Sequence, residues 1–290
     1  MKKVTYHTAE ERSNYVDMIP PAQEVWDWVK GTPDGDVHIF EDTFLPNHVQ
    51  HPNKIKIAAI VEAPAIYDFC CGNNPSLFHP YKWIRENHQH FTYVMSPQTW
   101  LKDLVGDRYL WMPAGGNRIK LEEFGMYEKE RLISIVASHK QWTEGHKLRH
   151  VVVNRYPGKI ETYGSGYNNI IDNYNGGRLG KILAVAPYYF SFAIMNSKSD
   201  DYFTEILTDV LAAGTIPIWW GTDNIGKYFN PDGIISFNTI EELDALLPTL
   251  TPELYHSKIA AVQENVEKAR AYNTRFDWVF NNYKQKFESL

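Results

Sequence analysis

Short apolar runs alternate with amphipathic stretches along the whole chain. In the first half, Ile55-Lys-Ile-Ala-Ala-Ile-Val61 is nearly continuous in apolar side chains between Asn53 and Pro64. That is the pattern of a strand covered on both faces in a parallel sheet. Residues 37–40, 91–95 and 108–111 predict shorter strands, and residues 81–88 and 100–104 predict helical segments. Val25, Trp26 and Val29 share one face if residues 22–30 form a helix, followed by turn chemistry over residues 31–36. The second half repeats the rhythm. Strands are predicted at 132–137, 159–163, 190–195, 216–220 and 233–237. Helices are predicted at 145–154, 202–213 (closed by Gly214), 240–247, 260–272 and 276–287. Residues 117–130 are polar and irregular and read as a linker. The expected organisation is therefore two α/β units with parallel sheets, 1–124 and 125–290, the closing helices belonging to the second. Ligands of such units sit at the carboxyl ends of strands and between units.

Composition narrows the function classes. The 290 residues carry 29 Lys and Arg against 35 Asp and Glu, a formal charge of −6, so the chain lacks the positive field of a general nucleic-acid binder. The longest near-apolar stretch, residues 182–195, is interrupted by Pro187 and Ser191 and falls short of the ~20 residues that span a bilayer. The amino terminus has no apolar signal core. Only two cysteines occur, Cys70 and Cys71, and adjacent cysteines rarely bridge. A soluble, cytoplasmic protein is expected. Aromatic residues make up 14% of the chain and read mainly as core.

Candidate chemistry concentrates in the second half. Lys140, Lys147 and Arg149 cluster at a strand-to-helix junction, suited to an anionic group beside a helix N-terminus; a solvated helix face is the plain alternative. His146 and His150 are four apart and could share a metal, but no carboxylate or thiol stands at a telling spacing, so no metal is assigned. Asp34-Gly-Asp36 has a D-x-D form but also ordinary turn chemistry. Further on, a strand delivers Asn196 and Ser197 to its carboxyl end, and Thr204 and Glu205 open the next helix. A carboxylate there can accept from a sugar hydroxyl while helix N–H groups face a phosphate.

The order S-x-K…R, Y-G-x-G, Y-x-F…N-S-x-x-x-D-Y-x-T-E and A-G-x-I-P-I-x-x-G over residues 132–237 resembles the donor-binding domain of the family 10 glycosyltransferases, the α-1,3/4-fucosyltransferases, in the style of their short soluble bacterial and viral members. Val61-Glu62-Ala63-Pro64 and Asp107-Arg-Tyr-Leu-Trp-Met-Pro113 are similar to the acceptor-side domain. The resemblance implies a GT-B fold, two Rossmann-like domains facing across a cleft. It implies an inverting sugar transfer, L-fucose from GDP-fucose, to an oligosaccharide or glycoconjugate acceptor, with no further cofactor and no metal in the chemical step. On the same likeness Glu62 is the general base and Arg149 meets the pyrophosphate. Tyr202 and Glu205 bind the donor with Asn196 beside them, and Ser138 and Tyr188 line the nucleotide pocket. Two positions depart from the family pattern: Met195 replaces the glutamate of E-N-S, and Ile206 replaces the lysine of T-E-K. Lys181 and Lys198 are the candidates to supply the missing cation. The departure at 206 keeps two other readings open: another nucleotide-sugar donor, or a silent glycan-binding protein.

Overall fold

The apolar runs become the strands of two sheets, each parallel throughout. The structure is a computed structural model and describes residues 2–7, 26–30, 35–164 and 178–290. Contacts divide the chain into Met1–Gly115 with Thr274–Leu290, and Gly116–Asn273. Among the described residues, no helix is long and apolar enough to cross a membrane.

In the first unit the strands are β1 (Lys2–His7), β2 (Trp26–Lys30), β3 (Val37–Glu41), β4 (Ile55–Ala59), β5 (Tyr93–Ser96) and β6 (Tyr109–Trp111), in the order β2-β1-β3-β4-β5-β6. A 3-10 segment, Asp42–Gln50, joins β3 to β4, and α1 (Pro64–Asn73), α2 (Pro80–Asn87) and α3 (Leu101–Val105) follow β4 and β5. The doubly wound order puts a switch point between β1 and β3. Val4, Ile39, Ile57 and Val94 are buried along the sheet, and Phe40, Leu45, Ile84, Phe91 and Leu101 fill the core beneath the helices. Cys70 and Cys71 lie on α1, outside any disulfide.

Two expectations fail here for a common reason. The helix over 22–30 is not formed: residues 26–30 are strand β2, paired with β1 from Lys2↔Trp26 to Tyr6↔Lys30. Residues 22–25 lie outside the described residues, as do Asp34 of the D-x-D turn and Ser165 and Gly166 of the Gly164-Ser-Gly166 turn. Strand β1 was not foreseen at all. The run Trp-Asp-Trp-Val-Lys fits either period, and Lys-Lys-Val-Thr-Tyr-His carries too few apolar residues to declare itself. Pairing with neighbouring strands decides both. Thr5 is accommodated at full burial because its Oγ1 accepts the Gly35 N–H at 2.9 Å. A Cβ on Gly35 would come within 2.3 Å of that oxygen, so this close approach requires glycine.

The second unit begins at residue 116. Its strands are β7 (Arg131–Val136), β8 (Glu161–Tyr163), β9 (Tyr188–Ile194), β10 (Ile216–Trp220) and β11 (Ile235–Ser236), in the order β11-β10-β9-β7-β8. The helices are α4 (Glu144–Arg155), α5 (Arg178–Val185), α6 (Glu205–Ala212), α7 (Ile240–Leu246), α8 (Pro252–Ser257) and α9 (Ile259–Arg270). Central β9 and β10 are buried on both faces, and Ile133, Ile135, Phe190, Phe192, Ile216, Ile218 and Val262 share one core. Ser134 on β7 and Ser191 on β9, both buried, satisfy each other at 2.9 Å.

Residues 117–130 are not a free linker. The Asp209 carboxylate accepts the N–H groups of Arg118 (2.7 Å) and Ile119 (3.2 Å), and Asn117 bonds Asn273 and Ala269. Lys129 donates to Ala186 O, Ala213 O and Thr215 Oγ1 at 2.7–2.9 Å, and its burial pulls its pKa down to about 7. Asp209 fastens the stretch to α6 through its backbone, and Lys129 fastens it beside the start of β10.

The final helix, α10 (Arg275–Glu288), returns to the first unit, which corrects the expected 125–290 domain. Arg275 is buried against Glu41 at the end of β3 and bonds Tyr6 Oη at 2.7 Å. Tyr6 also donates to Glu41. Trp278 packs edge-on to Trp111 with ring centres 4.7 Å apart, and Tyr283 Oη donates to Trp111 O at 2.8 Å. Burial, with Asp42 adding to it, lifts the Glu41 carboxyl to about 7 against the opposing pull of Arg275. A helical period shows that α10 has an apolar face; it does not show which sheet covers it.

Candidate active site

The carboxyl end of β9 gathers the second unit's chemistry. Helix α4 starts there because Thr143 caps it, its Oγ1 accepting the His146 N–H at 3.5 Å and meeting His146 Nδ1 at 2.9 Å. The start of α4 lies hard against the strand. Gly145 N donates to Asn196 O at 3.0 Å, and a Cβ at Gly145 would stand 1.7 Å from Met195 O. One turn later Arg149, buried, donates from Nε and Nη2 to Ile194 O at 3.0 and 2.5 Å and from Nη2 to Asn196 Oδ1 at 3.0 Å. Arg149 and Asn196, expected together, are in direct contact. Their charge-assisted bonds fix the strand end and the guanidinium at once.

Helix α6 contributes the second half of the cluster. Thr204 caps it, accepting the Ile206 N–H at 3.2 Å, and its hydroxyl points at Met195 Sδ at 3.8 Å. Glu205 pairs with Arg118 at 3.3 Å, and Lys181, in the first turn of α5, pairs with Asp209 at 3.6 Å. Burial works to raise the Glu205 carboxyl, but Arg118 and Lys181 outweigh it and hold Glu205 below the usual carboxylate range. Asp209 goes the other way: burial raises it, Glu205 adds to that, and Lys181 and the backbone amides only partly compensate. Two cations and two carboxylates thus interleave in the first turns of α6, where the helix dipole is positive. Lys181 stands in this cluster where Ile206, half-buried, carries no charge.

The loop between β9 and α6 holds the remaining donor-side candidates. Asn196 and Ser197 are half-buried, and Tyr202 is buried with its N–H bonded to Ser199 O. Asp201 adopts φ 59°, the left-handed region, and its carboxylate accepts from Lys227 (2.8 Å) and Tyr228 (2.5 Å). Burial opposes ionisation of Asp201, but those two donors prevail and lower its pKa. Lys198 is exposed and engaged elsewhere, with Asn238 and with Asp223 at 3.7 Å, over the Trp220 ring.

Other expected residues lie apart from this cluster. Ser138 is half-buried two residues past β7, its Oγ accepting the Lys140 N–H at 3.4 Å. Lys140 and Lys147 are exposed, so the basic trio separates into one buried arginine and two solvated lysines. His150 bonds Lys140 O at 3.1 Å while His146 serves the helix cap. Tyr188 is the first residue of β9, six residues before Ile194, or about 20 Å along a strand. Its hydroxyl is held by Tyr163 (2.6 Å), Glu161 (2.7 Å) and Arg131 (3.3 Å). Glu62, in the first unit, follows β4 directly before α1. Its Oε1 accepts the Ala63 N–H at 3.0 Å, and its carbonyl accepts from Tyr81 at 2.8 Å.

Gly145, Thr143, Arg118 and Asp201 were missed as site residues. Arg118 sat in the supposed linker, and Gly145 was read as ordinary helix. Asp201 and Thr143 were each visible, the first in the D-Y-x-T-E run, the second as a cap residue before Glu144.

Two parallel-sheet α/β units, with helices opening at the carboxyl end of a central strand, define a GT-B-like fold, the architecture of many nucleotide-sugar transferases. The sequence pattern described as "Glycosyltransferase family 10 (fucosyltransferase) C-term" matches residues 126–285, and the chain belongs to that family. It is similar to a putative fucosyltransferase-like protein of Arabidopsis thaliana, 27% identical over 133 residues, 46% of this chain and 23% of that protein. It is also similar to the alpha-(1,3)-fucosyltransferase FucT of Helicobacter pylori, 30% identical over 60 residues, 21% of this chain and 13% of that protein. The chain thus spans less than a quarter of either relative's length. Among solved structures, an alpha1,3-fucosyltransferase with GDP-fucose matches at 16% identity and TM-score 0.55, covering 93% of this chain and 88% of that one. Anabaena HepE in complex with UDP-glucose matches at 7% identity and TM-score 0.58, over 100% of each chain. At these identities the structural matches establish the fold.

Proposed function

We propose that this chain is an inverting glycosyltransferase that moves L-fucose from GDP-fucose to a hydroxyl of an oligosaccharide or glycoconjugate, with Glu62 as general base. The observation that carries the reading is the N-S-x-x-x-D-Y-x-T-E segment, which starts at the end of β9 beside Arg149 and ends in the Glu205–Arg118–Lys181 cluster of α6. Inverting transfer needs a base to take the acceptor proton as its oxygen attacks the anomeric carbon. Glu62 lies three residues past the end of β4, on the turn that leads into α1, where a carboxylate can serve such a step. Positive charge develops on the sugar and negative charge on the departing nucleoside diphosphate. Arg149 and Lys181, with the N-terminal dipoles of α4 and α6, answer the negative charge, while Glu205 accepts from a ribose or sugar hydroxyl. Asn196, Ser197 and Tyr202 shape the loop on the donor side and Ser138 acts from the nucleotide end, whereas Tyr188, buried at the far end of β9, supports the sheet. Lys181, paired with Asp209 in the α6 cluster, takes over from the lysine that Ile206 replaces.

Ile206 also supports a second reading, the same fold with another nucleotide-sugar donor. A thermal-shift and transfer panel of GDP- and UDP-sugars separates the two. Stabilisation by GDP and GDP-fucose, with transfer lost in Glu62→Gln while GDP still binds, is the expected result. A response to UDP-sugars alone supports the second reading, and no response to any nucleotide leaves a glycan-binding protein. Near-normal turnover by Glu62→Gln removes the assigned base.

A further inference from the structure

Three histidines of the first unit converge at the switch point of its sheet. His7 ends β1, and its register partner on β3 is Phe40. His38, two residues earlier on β3, therefore lies on the same face as Phe40, diagonal to His7. His51 closes the 3-10 segment that leaves β3. The rings pack in one cluster with Phe40, His51 tilted against the others. His7 lies parallel to Phe40 with centres 4.4 Å apart, and His38 and His51 are 4.2 Å apart. One nitrogen from each of the three falls within 4.8 Å of the other two, and His7 Nε2 is 2.9 Å from His38 Nδ1.

We propose that His7, His38 and His51 form a binding site for a divalent transition-metal ion of the zinc class, three imidazoles supplying three ligands and leaving a fourth position open.

Several features favour this over a simple packing cluster. His38 Nε2 is 3.1 Å from Gly35 O, and a carbonyl only accepts, so Nε2 carries the hydrogen and Nδ1 presents a lone pair to the cluster. An outer imidazole N–H held by a backbone carbonyl is the usual support of a metal-bound histidine. Gly35 is itself held by Thr5, so the support is rigid. Tetrahedral zinc with Zn–N near 2.0–2.1 Å sets nitrogens about 3.3 Å apart. The His7–His38 pair need open only slightly and His51 swing inward, while His7 moves its one proton from Nε2 to Nδ1. No net proton leaves. Burial first, then the neighbouring histidines, lower His7 to about 4 and depress His38; His51 is lowered by burial and then by Lys54 and Lys56. All three are thus neutral near pH 7, the ligand form. Three nitrogen ligands suit zinc, copper or nickel and not calcium or magnesium, which seek oxygen. Lys54 and Lys56 oppose a bare dication and favour hydroxide or a small anion in the fourth position. Among the described residues this is the one group of three or more histidine, cysteine or acidic side chains able to hold an ion. The bound ion would tie β1, β3 and the segment before β4 together.

The test uses the untagged 290-residue chain, stripped with chelator and titrated calorimetrically with Zn2+, with metal content measured after dialysis. One zinc per chain and a raised Tm are expected, together with the visible spectrum of a tetrahedral site on loading with Co2+. His7→Ala and His51→Ala should each weaken binding by more than the roughly 10–100-fold that loss of a supporting partner costs. His256→Ala, on exposed α8, should leave it unchanged. His51 is half-exposed, so that variant keeps the test informative even if the buried positions tolerate no change. Absence of stoichiometric uptake by the parent chain overturns the proposal, and so does unchanged uptake in both His7→Ala and His51→Ala.

Discussion

Replacing Gly145 by alanine should damage the carboxyl end of β9 more than any ordinary glycine substitution. The new Cβ would lie 1.7 Å from Met195 O, 2.8 Å from Met195 C and 2.9 Å from Asn196 O, all backbone atoms that no rotamer change can move. To regain the 3.0 Å that real Cβ atoms keep, the start of α4 must retreat by about 1.3 Å or more. Overpacking of this kind costs about 1–3 kcal/mol. The Gly145-to-Asn196 hydrogen bond stretches with it, adding about 0.5–1.5 kcal/mol, and Arg149 is drawn off Ile194 O. Alanine's better helix propensity returns less than about 1 kcal/mol. A net loss of about 3 kcal/mol lowers the Tm by roughly 6–12 °C for a unit of this size. The control is Gly72→Ala, near the end of α1, where nothing lies within 4 Å of the added carbon. That variant should melt at or slightly above the parent temperature. Circular-dichroism melts of both, with GDP affinity by calorimetry, read the difference. A Gly145→Ala protein melting within roughly 2 °C of the parent would refute the packing argument at this strand end.

Other expectations follow from the charged groups. Lys129→Met should flatten the pH dependence of stability between about 7 and 10.5: the folded lysine has lost its proton there while the unfolded one keeps it, so parent stability rises with pH across that window. Denaturant titrations at pH 7 and 9.5 measure the slope, and an unchanged slope contradicts the burial of that amine. Arg275→Met leaves Glu41 buried without its partner and should cost about 3–5 kcal/mol at pH 8. At pH 5, where Glu41 is protonated, the loss should shrink; equal losses at both pH values would show that Glu41 is not the group concerned. Lys181→Ala should weaken GDP affinity about tenfold, the worth of one charge-assisted contact, while Lys198→Ala should change it little, because Asn238 and Asp223 hold that side chain. The reverse order of effects would move the substitute cation to Lys198.

Where the pattern was long and regular, sequence and structure agree. Strands 55–59, 131–136, 188–194 and 216–220 and helices α4, α6, α7, α9 and α10 follow from continuous apolar runs and helical periods, whereas α5 and α8 were not expected. The segment proposed to meet the donor was also visible, because Asn196, Asp201, Thr204 and Glu205 sit close together in sequence and chain order alone brings them to one strand end. Arg149 was legible as a basic residue on a helix after a strand, and the fold then placed it on Ile194 O and Asn196. Arg118 was not legible. It reaches Glu205 from a stretch whose polar composition marked it as linker, and only the Asp209 carboxylate, holding that stretch by its backbone, makes it part of the site.

The sequence by itself determined the family, the two parallel-sheet units and the residue types at the end of β9, because these depend on local period and on motifs contiguous in the chain. Tertiary structure decided the rest. β1 and β2 exist because each finds a hydrogen-bonding neighbour; their own side chains do not specify them. α10 belongs to the first unit because Glu41, fixed at the end of β3, needs the buried Arg275 of a helix 234 positions away. The three histidines meet because sheet register sets His38 diagonal to His7, and the 3-10 turn brings His51 back over both. Period and propensity act between near neighbours. Pairing register and buried charge act between residues that only the fold makes neighbours.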